Sequence, residues 1–135
     1  MPLLDWKELD FVQVLSVLPA DEDGVQYTFD VSKGGARLVL DVWPYESAVG
    51  ISLWAGASSE PITDLVAFVR GPAVRRETRE SEWIELRDVV ITPSRFSYLE
   101  LGDPFDHERF PAGFPVRICA TPQIRVDLVR ERGTR

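Results

Sequence analysis

Residues 25–54 carry the tightest constraint in this chain, because they fix their own strand register. Val25, Tyr27, Phe29 and Val31 alternate with Gln26, Thr28, Asp30 and Ser32. Gly34-Gly35 follows, and Leu38, Leu40 and Val42 then alternate again. A Gly-Gly pair is a strong hairpin signal, since glycine reaches the positive φ that primed turns require. Folding about it pairs Val31 with Leu38, Phe29 with Leu40 and Tyr27 with Val42. A strand over 48–55, reached through a 44–47 loop, then pairs Val42 with Val49, Leu40 with Ile51 and Leu38 with Leu53. All these apolar residues share one face, and a slip of one residue would turn every one of them outward.

The rest of the chain reads as more short strands. Residues 9–18 are apolar on both faces and rich in Val, which predicts a buried strand; Asp5 and Glu8 at capping-box spacing make a helix its rival. Residues 19–24 are a polar turn. Residues 62–70 are rich in β-branched and aromatic side chains and read as a strand, with a short helix over 60–70 as the rival assignment. Residues 82–91 and 96–101 read as a strand pair. Ile84 and Leu86 have one parity and Val89 and Ile91 the other, so a bulge is expected near Asp88. A long loop over 102–115 precedes strands over 116–120 and 124–129, and residues 130–135 read as a frayed tail.

About eight such strands predict an all-β fold, an antiparallel sandwich or a partly open barrel. The 135 residues suffice for one domain with a real core, 1–135, and not for two. The expected core is Tyr27, Phe29, Val31, Leu38, Leu40, Val42, Val49, Ile51, Leu53, Ile84, Leu86, Ile118, Val126 and Leu128.

Charge and composition narrow the function classes. The net charge is −7, from 22 acidic and 15 basic residues. Such a surface repels nucleic acid and anionic membranes and suits a basic protein partner. No apolar run reaches the ~18 residues of a membrane span. The opening residues lack a basic segment before an apolar one, so no signal peptide is read there and a cytoplasmic location is expected. Cys119 is the only cysteine and lies in an apolar run, which predicts a buried free thiol.

Three functional readings follow. The hairpin register turns Arg37, Val39, Asp41, Trp43 and Trp54 outward, with Tyr45 in the adjoining loop. Aromatic and arginine side chains are common binding hot spots. These six residues therefore form a candidate surface for a non-catalytic protein-binding domain, of which an immunity- or antitoxin-like inhibitor of a basic partner is one concrete form. Arg37 should face Trp54, within cation–π reach. The second reading is a small metal-dependent hydrolase built on Asp103, Asp106, His107 and Glu108, although their spacing matches no metal motif. The third is a carbohydrate-binding module stacking sugars on Trp43 and Trp54. The Arg70, Arg75, Arg76 and Arg79 cluster is interleaved with Glu77, Glu80 and Glu82 and reads as a salt-bridged hairpin end. No phosphate-binding glycine loop or nucleophile motif is present, and no cofactor is expected.

Overall fold

The meander forms in the register its apolar parity demands. The computed structural model describes residues 3–129; the tail expected over 130–135 lies outside them. β2 (Gln26–Lys33) pairs with β3 (Ala36–Trp43), and β3 with β4 (Ala48–Ala55), after a 3-10 turn at Pro44–Glu46. Phe29 faces Leu40, Leu40 faces Ile51, and Arg37 faces Trp54. β1 (Ala20–Glu22) adds antiparallel to β2, where a turn was expected.

The second half of the sheet is organised by one long strand, β7 (Glu82–Thr92). β5 (Thr63–Val69) pairs β4 on one side and the C-terminal part of β7 on the other. β6 (Ala73–Glu77) pairs the N-terminal part of β7. Residues 70–72 carry the chain from β5 to β6 without leaving β7. Arg70 and Gly71 donate their amide hydrogens to the carbonyls of Asp88 and Arg87, and Arg87 donates back to Pro72. The register shifts between Leu86 and Val89, and Asp88 adopts φ +54. This is the bulge that the parity switch predicts, and it returns Val89 and Ile91 to the core side with Ile84 and Leu86. β8 (Phe114–Cys119) pairs the other edge of β7, and β9 (Arg125–Leu128) closes the row. Among the described residues the fold is thus a mostly antiparallel nine-stranded sheet that does not close, since β1 and β9 each have one neighbour there.

Two elements differ from the sequence reading. Residues 9–18, expected as a strand, hold the helix α1 (Glu8–Leu15). Phe11, Val14 and Leu15 share one helical stripe and are buried, while Leu9 and Gln13 face solvent. Lys7, not Asp5, is the N-cap, and Ser16 in the left-handed region ends the helix. Docking on the sheet decides the outcome, because Phe11 and Phe29 stack at 5.6 Å and Phe11 meets Trp6 edge-on at 5.2 Å. Tertiary packing of this kind overrides weak β propensity. Residues 96–101, expected to pair with β7, instead form a single helical turn, α2 (Tyr98–Leu101). Serine side chains supply the local alternative to a ladder: Ser97 Oγ accepts from Ser94 N–H and Ser94 Oγ from Phe96 N–H. The strand assignment of residues 62–70 holds, and the helix over 60–70 does not form.

One core cluster unites α1 with β2–β4 and β7–β8, so the sheet curls around the helix. Lys33 Nζ at the β2–β3 turn reaches Thr121 Oγ1 after β8, 3.3 Å away. Of the expected core, Leu128 is 53% exposed, and Tyr27, Leu53 and Val126 are only half-buried. Leu128 lies on the last strand, where the curled sheet has no further neighbour to cover it.

Candidate functional site

The outward face of the meander divides into an open part and a covered part. In the open part the polar groups satisfy one another. Arg37 donates to both carboxylate oxygens of Asp30, at 3.0 and 2.8 Å, and its guanidinium lies 4.8 Å from the Trp54 ring centre. The hydrogen bond from Arg37 holds the Asp30 carboxyl below its ordinary range, against a smaller upward push from burial. Asp41 accepts from Thr28 at 2.6 Å and from Gln26 at 2.9 Å. Ser52 donates to Asp64 at 3.0 Å. Val39 and Trp54 are half-buried among these groups.

At the Trp43 end the long segment between β7 and β8 folds back over the sheet. Phe105 and Phe110 pack on a second apolar cluster of Ala48, Val66, Phe68 and Val90, with Trp43 at its margin. Arg95 from this segment lies 4.7 Å above the Trp43 ring and pairs with Glu46 at 2.7 Å. The ring also packs on Gly50, where a Cβ would stand 3.0 Å from two ring carbons. Trp43 therefore works as a floor for the covering segment and stays half-exposed.

The same segment presents exposed apolar side chains, one of which, Phe96, has the Arg95 guanidinium 4.7 Å from its ring centre. Phe96, Tyr98, Leu99 and Leu101 are all exposed, Leu99 by 75%, and α2 buries none of its residues. Tyr45, 61% exposed, joins them across a cleft of about 260 Å³ lined by Tyr45, Glu46, Phe68, Arg95, Tyr98 and Asp103. Exposed apolar groups gathered in this way and rimmed by charge are uncommon on a soluble monomer and mark interaction surfaces. Sequence reasoning placed Phe96, Tyr98, Leu99 and Leu101 in a strand and missed them. A signal was present: Phe96 and Tyr98 have one parity and Leu99 and Leu101 the other, so a strand with one buried face could not hide all four.

The acidic loop is built differently from a metal centre. Asp103 Oδ1 accepts from Phe105 N–H and Asp106 Oδ1 from Glu108 N–H, both at 2.9 Å, so two carboxylates are engaged as turn caps. His107 is exposed and lies 3.6 Å from Asp88, which itself binds the buried Arg70 side chain at 2.7 Å. Among the described residues no group of three His, Cys, Asp or Glu side chains is placed to hold a metal ion. The sequence cluster of arginines is split. Arg70 sits in the bulge with its side chain 1% exposed, Arg75 pairs with Glu77 and Glu82, and Arg76 lies on the outward side of β6. Cys119 is half-buried with its thiol pushed upward by burial, which disfavours a thiolate. No helix among the described residues is long and apolar enough to cross a membrane.

No family model, no curated protein and no solved structure matches this chain.

Proposed function

We propose that this chain is a non-catalytic, cytosolic protein-binding domain whose docking surface is the patch formed by Tyr45, Phe96, Tyr98, Leu99 and Leu101. The observation that carries this reading is that these side chains are all exposed, with Tyr45 and Tyr98 lining one cleft and the other three on the segment of Tyr98, which is anchored at Arg95, Phe105 and Phe110. Rigid anchoring limits the ordering entropy of binding, and aromatic groups supply contact area at small entropic cost. The patch is bordered by Glu46, paired to Arg95, by Glu100 and Asp103, and by Arg109, and the whole chain carries −7. Both features favour a partner with an apolar segment flanked by basic groups, as an inhibitor seated in a basic site would meet.

The other two readings find less support. The loop carboxylates of Asp103 and Asp106 already cap turns. Trp43 and Trp54 each carry an arginine on the ring, so no bare pair of rings is offered to a sugar.

A photo-reactive amino acid placed at Leu99, and separately at Ser52 on the open part of the meander, tests the proposal in the native host. A discrete adduct with a basic protein at position 99, absent at 52 and lost when Tyr98→Ala is added, is the expected result. No adduct at 99, or equal adducts at both positions, would remove the patch from consideration.

A further inference from the structure

A second outward surface, on the opposite half of the sheet from the meander, has the reverse charge. Along β6–β9 the register sets Arg76 beside Trp83, Glu85 beside Arg117, Arg117 beside Asp127 and Cys119 beside Arg125. Arg76, Arg87, Arg117 and Arg125 thus share this side with only Glu85 and Asp127, whereas the open meander face has Arg37 against Asp30, Asp41 and Asp64. Glu85 is 8% exposed and already takes Arg87 at 2.8 Å and Arg117 at 3.4 Å. Asp127 holds Arg125 in an exposed pair at 3.2 Å, the kind of contact that exchanges readily. Each guanidinium has five donors, so these contacts leave most of them unused.

Between these groups runs a groove of about 270 Å³, lined by Glu82, Trp83, Arg117, Gln123, Arg125 and Asp127, with Glu82 already paired to Arg75 at 2.7 Å. The guanidinium of Arg117 lies 5.3 Å from the Trp83 ring centre. The indole N–H of Trp83 has no hydrogen-bond acceptor among the described residues. The groove adjoins β9, which pairs only with β8 and so leaves its outer edge open among the described residues.

We propose that this groove and edge dock an extended acidic peptide segment. The peptide backbone adds to β9 as a further strand, and alternate side chains then point toward the groove. A carboxylate entering between Arg117 and Arg125 gains charge-assisted hydrogen bonds. Arg117, drawn toward that carboxylate, leaves the Trp83 ring, so the indole reports the binding through the movement of Arg117. A nucleic-acid strand fits less well, because its continuous phosphate charge must approach a protein of net charge −7. This surface is separate from the Leu99 patch, and neither reading depends on the other.

Indole N–H resonances test the proposal, with the Trp83 signal assigned as the one missing in Trp83→Phe. The probe is the capped pentapeptide Val-Glu-Val-Glu-Val, compared with Val-Lys-Val-Lys-Val and with an oligothymidylate. The acidic peptide should shift the Trp83 signal saturably. Binding should fall about tenfold in Arg125→Glu and persist in Arg125→Lys. Gln123→Glu, which places a carboxylate in the groove without removing an arginine, should weaken it as well, while the amide spectra of all variants remain those of the folded parent. No saturable shift at Trp83, an equal response to the lysine peptide, or tighter binding of the oligothymidylate would overturn the proposal.

Discussion

Replacing Gly50 by alanine should destabilise this protein, although the general expectation for a strand is the opposite. Glycine in a strand interior is worse than alanine by about 0.5–1 kcal/mol, because its backbone loses more freedom on folding. Gly50 has no positive φ, so alanine meets no backbone barrier there. The obstacle is Trp43, whose Cζ3 and Cη2 would both stand 3.0 Å from the new methyl. That is about 0.5 Å inside the ~3.5–4.0 Å optimum for carbon pairs. The ring is also held by Arg95, which lies 4.7 Å from its centre and is tied to Glu46. Overpacking of this kind costs about 1–3 kcal/mol. Offsetting it by the gain in backbone entropy leaves a net loss of about 0.5–2 kcal/mol. Urea unfolding of Gly50→Ala, Trp43→Phe and the double variant measures it. Phenylalanine lacks the two offending carbons, so Gly50→Ala should be neutral or stabilising in the Trp43→Phe background, with a coupling of about 1 kcal/mol. Stabilisation by Gly50→Ala alone, or strict additivity, would refute the idea that Trp43 is held tightly against Gly50.

Other expectations follow from the same contacts. Phe29→Ala empties the site where α1 meets the meander and should cost about 3–5 kcal/mol in urea unfolding, with Phe29 wholly buried against Phe11. Leu99→Ser should leave the unfolding midpoint within about 0.5 kcal/mol of the parent, because Leu99 is exposed and touches no core. Burial pushes the Glu85 carboxyl up, but the hydrogen bond from Arg87 and the charges of Arg87, Arg76 and Arg117 together hold it below the ordinary 4.5. A depressed folded-state value stabilises the protein above the unfolded glutamate range, and that contribution is lost as pH falls through the folded value. Glu85→Gln should therefore lower stability near neutral pH and flatten its decline in acid, as read from urea midpoints across that range.

The parts of this fold that were legible in the sequence are those decided by neighbouring residues. The β2–β3–β4 register follows from parity about Gly34-Gly35, and the bulge at Asp88 follows from the switch between Leu86 and Val89. The helix α1 was not legible, because Phe11, Val12 and Val14 suit a strand as well as a helix. Only the curled sheet, with Phe29 facing Phe11, selects the helical stripe. Residues 96–101 escaped for a related reason, since alternation and propensity do not report that Ser94 and Ser97 will satisfy the backbone locally. At the candidate surfaces, the Arg37–Trp54 contact could be derived from pairing alone. The cover over Trp43 and the arginines gathered about Trp83 depend on residues far apart in sequence, and a single sequence carries no signal of such approaches.

The open row of strands also bears on the order in which the molecule is made. Every strand lies beside one that is adjacent in the chain. The pairings from β1 to β5 close short loops that can form as soon as the second strand is synthesised, whereas β5–β7 and β7–β8 span longer stretches. The helix is the exception. Preceding every strand, α1 finds Phe29 before the sheet is complete, yet it also packs against β6 and β7, which follow much later in the sequence. A nascent chain halted after β4 would thus hold its hairpins while exposing much of the apolar stripe of α1. Shelter for that stripe arrives only with β7, which makes the second half of the sequence the guardian of the first.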